Sequence, residues 1–166
     1  MSLSAQNGLA FNKVKFSNYQ IFKLSNFSLS LPPNFYCRMI KISEIEDTQK
    51  LLEVINQAIL DKKGENVVNM DLQALENHIT KYFVICTANS VIHANTLADY
   101  IRYQTRGTLK ERPWKEEGFE NSEWILMDYV DVVVHIFLPE AREFYKLEQL
   151  WADAETKSIE NKQVEK

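Results

Sequence analysis

Residues 124–137 read WILMDYVDVVVHIF. Two apolar runs of strand length flank a short link, which predicts two neighbouring β-strands. Side chains alternate across a strand, so Ile125 and Met127 lie on one face and form a natural core pair. Trp124 and Leu126 lie on the opposite face, where they are exposed unless a helix covers that face as well.

Helix and strand patterns surround this pair from residue 39 onward. The predicted helices run from 44 or 48 to 63, from 90 to 107 and from 139 to 151, and the predicted strands cover 67–72, 82–86, 114–119, 124–128 and 132–137. The first helix has cap candidates at Ser43, Asp47 and Thr48, and the second at Asn89 and Ser90. The order α-β-β-α-β-β-β-α predicts an α/β fold with a single mixed β-sheet flanked by helices.

The composition is that of one globular domain, and its charge is distributed unevenly along the chain. The chain has 166 residues, a hydrophobic fraction of 45% and a net charge of −4. Residues 1–38 hold four basic residues and no acid, whereas residues 39–154 hold 12 Lys and Arg against 20 Asp and Glu. An acidic body repels phosphate, so we expect no direct DNA binding, and we do not expect RNA binding as the main function either. The acidic charge suits a basic protein partner or simply keeps the domain in solution. No apolar run reaches the roughly 18 residues of a membrane span, so we expect no membrane partner.

The two ends of the chain differ from its middle. We expect residues 1–38 to be a disordered or non-native extension, residues 39–154 to form the folded domain, and residues 155–166 to be a charged flexible tail. The ordered pattern favours Met39 as the true start, with sequence upstream of it translated in error. The alternatives are an organelle transit peptide, a native disordered arm, or a short expression scar at residues 1–3. We expect a bacterial cytoplasmic location unless the extension is a transit peptide.

Candidate catalytic chemistry is sparse. The three histidines lie far from one another and from the cysteines, so we expect no metal and no cofactor. Cys86 is expected to pack as a small hydrophobe, and neither Cys86 nor Cys37 is expected in a disulfide. Asp128 and Asp131 are the only paired carboxylates near strand ends and are candidates for holding a divalent cation in phosphoryl transfer. Because the four glycines are isolated and form no phosphate loop, a turn or an interface is the favoured role of these aspartates.

Three stretches together resemble a known family. Residues 82–93, 124–137 and 140–151 resemble sequence blocks of the ribosomal silencing factors, also called the Iojap family, and the resemblance extends over residues 48–153. It implies a fold similar to nucleotidyltransferases without their catalytic set, in a protein that is not an enzyme. It also implies binding to the large ribosomal subunit through its protein fourteen, which blocks association with the small subunit and represses translation. Members often crystallise as homodimers, which the sequence neither supports nor excludes.

The resemblance also implies a set of partner-binding residues. These are Trp124, Leu126, Asp128, Tyr129, Asp131, His135, Arg142 and Tyr145. We expect Trp124 and Tyr145 to be aromatic anchors, the aspartates to offer charge to a basic partner, and Trp151 to belong to the scaffold. The alternative function is a nucleotidyltransferase-like enzyme that uses Asp128 and Asp131 with a divalent metal.

Two turns depart from the family pattern. Val130 stands where the family usually has glycine, and residues 87–89 replace a turn that contains glycine. A β-branched residue strongly disfavours positive φ. We therefore expect the link at Val130 to take a different turn or to distort, which would move Tyr129 and Asp131.

Overall fold

The computed structural model describes part of the chain, namely residues 15–16, 19–20, 33–76 and 78–160, with side chains from residue 45 onward. Two units make up the chain, Met1–Met39 and Ile40–Lys166. In the first unit, Lys15–Phe16 (β1) pairs with Tyr19–Gln20 (β2) as antiparallel strands. Most of the expected extension lies outside the described residues, so its nature stays a prediction.

Six strands of the second unit form one mixed sheet. They are Glu65–Asp71 (β3), Tyr82–Thr87 (β4), Lys115–Glu117 (β5), Trp124–Asp128 (β6), Val132–Phe137 (β7) and Glu155–Ile159 (β8). The order is β5-β6-β7-β4-β3-β8, with β4 and β7 parallel and the other neighbours antiparallel. The helices are Pro33–Asp61 (α1), Val91–Thr108 (α2), Pro139–Tyr145 (α3) and Leu147–Leu150 (α4). This confirms the expected α/β fold with a single mixed sheet flanked by helices.

Apolar side chains pack on both faces of the sheet. On one face, α1 and α2 bury a core that contains Ile55, Ile101 and the expected pair of Ile125 and Met127, all at 0% exposure. On the other face, a smaller core contains Leu147 of α4. Each large side chain buried this way stabilises the fold by roughly 1.5–3 kcal/mol. The alternation expected for β6 is therefore confirmed, because its two faces join two different cores.

The first helix begins earlier than expected. The cap candidates Ser43, Asp47 and Thr48 lie inside α1, so the prediction of a cap at any of them is wrong. The helix can start at Pro33 because proline is tolerated in a first turn. The Thr48 hydroxyl instead donates to Oδ2 of Asp131 at 3.0 Å. This hydrogen bond connects α1 to the link between β6 and β7.

The second helix begins where the sequence predicts. The Ser90 hydroxyl accepts the backbone N–H of His93 at 3.2 Å, which is the bond of a helix N-cap. Cys86, on the strand before this helix, is buried and free, as expected. The side chain of Cys37 lies outside the described residues. Among the described residues, no helix is both long and apolar enough to cross a membrane.

The C-terminal region differs from the expectation in two places. The single helix expected over 139–151 is divided into α3 and α4, because Lys146 is left-handed with a φ of 46°. Residues 155–159, expected in a flexible tail, form β8 beside β3. The side chains of β8 are mostly exposed and polar, as is common in an edge strand. Because β8 is held to the sheet by backbone hydrogen bonds, its sequence has no alternating hydrophobic pattern that would predict a strand. Residues 161–166 lie outside the described residues.

Candidate partner-binding face

Aromatic rings form a continuous cluster on the sheet face opposite α1 and α2. The Trp124 ring of β6 stacks on Phe137 of β7 with 4.9 Å between centroids, and it lies 4.8 Å from Tyr145 of α3. The next ring, Phe144, lies 5.1 Å from Tyr145. His135 of β7 completes the cluster at 5.8 Å from Trp124. These five residues are called the aromatic face below.

The aromatic face is buried at one end and exposed at the other. Trp124 is half-buried, whereas Tyr145 is 52% and Phe144 is 79% exposed. Phe144 has the apolar character of a core residue, but no residue in α3 is buried and its ring lies in solvent. The sequence left open whether this face of β6 is exposed or covered by a helix. The structure lies between the two, because α3 covers Trp124 on one side only. Exposed aromatic rings beside a buried one are typical of an interface.

His135 supports the aromatic face from below. The indole N–H of Trp124 donates to Nδ1 of His135 at 3.2 Å, so the ring is neutral with its proton on Nε2. His135 is 4% exposed, and Nε2 has no hydrogen-bond partner among the described residues. Burial lowers the pKa of His135 to about 4. Phe83 presents its ring perpendicular to the imidazole at 4.8 Å. His135 is therefore part of the scaffold under Trp124.

Tyr129 also lies in the core. Its side chain is 7% exposed, and its hydroxyl is 3.2 Å from the hydroxyl of Thr105 on α2. Burial raises the pKa of Tyr129 to about 12. The ring packs on the α1 and α2 side of the sheet, away from Trp124. In this structure Tyr129 anchors the hairpin and offers no exposed ring to a partner.

The hairpin link keeps a turn that normally requires glycine. Val130 has a φ of 75° and is 64% exposed. The N–H of Asp131 donates to the carbonyl of Tyr129 at 3.0 Å, which closes a γ-turn around Val130. Oδ1 of Asp128 accepts the N–H of Val130 at 2.7 Å and holds the strained residue in place. Of the two expected outcomes, a different turn or distortion, the structure shows a strained left-handed Val130.

Asp131 fastens this hairpin to two neighbouring elements. Its Oδ2 accepts Nζ of Lys81 at 2.8 Å as well as the Thr48 hydroxyl, and its carbonyl accepts the N–H groups of Lys81 and Tyr82. The carboxylates of Asp128 and Asp131 are thus occupied by hydrogen bonds within the chain. Among the described residues, no group of three or more His, Cys, Asp or Glu could hold a metal ion. The arrangement gives no support to the metal-dependent enzyme alternative.

Arg142 joins α3 to the sheet. Its side chain is 14% exposed and pairs with Glu148 on α4. Its Nη1 donates to the carbonyl of Asn66 at 2.8 Å and to the hydroxyl of Thr87 at 2.6 Å. Thr87 ends β4 and is one of the residues that depart from the family pattern, and no local sequence signal identifies it as a partner of Arg142. The arrangement makes Arg142 a positioning residue for α3 and hence for Tyr145.

The eight expected site residues therefore fall into two groups. Trp124 and Tyr145 meet at the aromatic face, and Leu126 packs half-buried on the same side of β6. Asp128, Tyr129, Asp131, His135 and Arg142 bond to other residues of the chain. Trp151 lies 5.6 Å from Phe83 in the smaller core, where a scaffold residue is expected.

This fold and face define an α/β domain with an exposed aromatic surface, and comparisons identify its family. Residues 45–166 match the family described as RsfS, ribosomal silencing factor during starvation. The chain belongs to the ribosomal silencing factor family, and its homologues are named for a regulatory role.

Known proteins show how far the similarity extends. The ribosomal silencing factor of Halalkalibacterium halodurans is 37% identical over 68% of this chain and 94% of that protein. A crystal structure of a Chromobacterium violaceum protein is 29% identical, with a TM-score of 0.59 over 63% of this chain and 85% of that one. The mouse protein named mitochondrial assembly of ribosomal large subunit protein 1 is 35% identical over 46% of this chain and 34% of that protein.

The neutral, buried state of His135 predicts a loss of stability in acid. The unfolded chain takes up the imidazole proton near pH 6.5, whereas the folded chain does so only near pH 4. The contribution of His135 to the free energy of unfolding should therefore be fully present above about pH 6.5. It should fall by about 2 kcal/mol between pH 7 and pH 4.5. Urea unfolding at several pH values measures this loss. The His135→Gln variant should show a shallower fall, and an equal fall in both proteins would contradict the assignment.

The strained turn predicts a stabilising substitution. Val130→Gly should raise the free energy of unfolding by about 1 kcal/mol, because relief of the positive-φ strain outweighs the added freedom of the unfolded chain. Val130→Ala, which removes only the β-branch, should have a smaller effect. Thermal and urea unfolding measure both variants. A less stable Val130→Gly protein would show that the turn is not strained as described.

Proposed function

We propose that this chain binds the large ribosomal subunit through its protein fourteen and sterically blocks association with the small subunit. Translation is thereby repressed without chemical turnover, in the bacterial cytoplasm. Membership of the ribosomal silencing factor family supports the role, and the mouse relative is named for assembly of the large subunit. The observation that carries the proposal is the aromatic face, in which Trp124 holds the exposed Tyr145 beside Phe144.

The aromatic face has the build of a binding hot spot. Tyr145 and Phe144 are exposed, and Tyr145 lies on an indole that is fixed by its own hydrogen bond to His135. A pre-formed aromatic surface loses little side-chain freedom when it binds. Large aromatic side chains account for much of the binding energy at protein interfaces. Trp124 and Tyr145 are the proposed anchors, with Leu126 beside them.

Charge favours a basic partner for the body of this chain. Residues 39–154 carry eight more acidic than basic residues. Complementary potentials raise the rate of encounter and weaken as salt is added. In this proposal the buried or bonded members of the expected site, such as Asp131 and Arg142, act by positioning the hairpin and α3. A homodimer of the chain remains a prediction.

Sedimentation with separated ribosomal subunits tests the proposal. The full chain should pellet with large subunits, remain in the supernatant with small subunits, and lower the fraction of joined ribosomes when the subunits are mixed. Pelleting with neither subunit by a folded chain would contradict the proposal. Pelleting without any effect on joining would contradict the steric mechanism.

Substitutions on the aromatic face should separate binding from folding. Trp124→Ala should weaken binding to large subunits by about 2 kcal/mol or more, and Tyr145→Ala by about 1 kcal/mol or more. Ile92→Ala, an 80% exposed side chain at the start of α2, is the matched control and should bind as the wild type does. Circular dichroism confirms that each variant is folded. Unchanged affinity in folded Tyr145→Ala and Trp124→Ala would exclude this face as the contact.

A further inference from the structure

A second exposed surface lies at the C-terminal end of α2 and in the loop that leads to β5. Trp114 is 80% and Tyr103 is 70% exposed, and the side chains of Arg106, Lys110 and Arg112 are exposed as well. These five residues are called the basic-aromatic surface below. The aromatic face does not include any of them.

The backbone of this surface is held at both ends. The N–H groups of Leu109 and Glu111 both donate to the carbonyl of Thr105, at 3.0 and 3.3 Å. At the other end, the N–H of Trp114 donates to the carbonyl of Asp128 at 2.6 Å. Trp114 thus has a fixed backbone and an indole that lies in solvent. An exposed indole on a fixed backbone is available to stack on a flat ligand.

The charge of this surface is opposite to that of the body. Between residues 102 and 115 the chain has five basic residues and one acid, Glu111. Two of the five are neutralised by ion pairs, Arg102 with Asp99 and Glu116, and Lys115 with Glu117. Among the described residues, no carboxylate forms an ion pair with Arg106, Lys110 or Arg112. Three exposed cations thus lie within eight residues of the exposed indole of Trp114 in the sequence, in a domain that is otherwise acidic.

Tyr103 extends the surface along α2. Its ring stacks with that of Tyr100, with 6.3 Å between centroids and 23° between planes. Nζ of Lys62 lies 4.3 Å from the centre of the Tyr100 ring. Residues three apart share a helix face, so Tyr103 and Arg106 are neighbours. Aromatic rings and cations thus occur together along the C-terminal half of α2.

We propose that the basic-aromatic surface binds RNA, through stacking of an unpaired base on Trp114 and contacts of Arg106, Lys110 and Arg112 with phosphates. Indole rings stack on bases of any sequence, and guanidinium groups bind phosphate through two parallel hydrogen bonds. Three cations at the edge of an acidic domain give salt-sensitive binding of low sequence preference. The identity of the RNA as a loop of the large subunit rests on the proposed function, whereas RNA binding itself does not.

Binding to a fluorescently labelled single-stranded RNA of about 12 nucleotides tests the proposal by anisotropy over a series of salt concentrations. Trp114→Ala should weaken binding by at least about fivefold, and Trp114→Phe, which keeps a ring, should weaken it less. The double variant Arg106→Glu with Arg112→Glu should weaken binding and lower the slope of log affinity against log salt by about 1.4. The control, Lys50→Glu with Lys157→Glu, changes two exposed lysines elsewhere and should stay within about twofold of the wild type.

The outcomes distinguish this proposal from the proposed function. Absence of RNA binding by the folded chain overturns it, and so does RNA binding that is unchanged in Trp114→Ala and in the double arginine variant. If these variants lose affinity for large subunits while binding RNA as the wild type does, the surface contacts a protein and the RNA proposal fails. A wild-type chain that binds RNA through Trp114 but does not pellet with large subunits supports the RNA surface and contradicts the proposed function.

Discussion

The indole N–H of Trp124 donates to Nδ1 of His135 across two neighbouring strands, and the aromatic face depends on this bond. Because tryptophan can only donate, the bond requires a neutral imidazole with its proton on Nε2. Burial keeps the imidazole neutral at ordinary pH by lowering its pKa to about 4. The bond fixes the indole, and the indole in turn supports Tyr145 of α3 at 4.8 Å. A surface made of short helices and strand ends thereby acquires a rigid centre.

The second constraint is the hairpin between β6 and β7. Its central residue, Val130, keeps a left-handed conformation in spite of its β-branch, and three contacts of its neighbours enforce that conformation. Asp128 accepts the N–H of Val130, Asp131 pairs with Lys81, and the buried ring of Tyr129 reaches Thr105. The last two of these contacts join the hairpin to the residue before β4 and to α2, and the Thr48 hydroxyl on α1 also donates to Asp131. Asp128, Tyr129 and Asp131, which the sequence predicts as partner-binding residues, thus stabilise the hairpin that carries Trp124.

Much of the fold could be predicted because its signals are local. The alternation of β6 placed Ile125 and Met127 in the core, and the Ser90 cap marked the start of α2, as the structure confirms. β8 could not be predicted, since its edge strand is stabilised by backbone bonds to β3 and has no apolar period. The division between α3 and α4 was missed because Lys146, not glycine, takes the left-handed conformation.

The candidate site was predicted less well, for a physical reason. Motif positions name residues but not their partners, and the partners here lie far away in the chain. Arg142 reaches Asn66 and Thr87, and Asp131 reaches Thr48 and Lys81, over separations of 50 residues or more. Only the folded chain shows that these side chains are occupied internally. It also shows that Phe144, in spite of its apolar side chain, lies exposed beside Tyr145.

Hydrogen–deuterium exchange of the full chain, free and bound to large ribosomal subunits, shows whether the aromatic face contacts the ribosome. We expect slower exchange on binding in α3 and in the β6–β7 hairpin, which form the aromatic face. Exchange in β8 and at the start of α2 should not change. Protection confined to those two regions, with α3 exchanging as in the free chain, would contradict the claim that the aromatic face is the surface that contacts the ribosome.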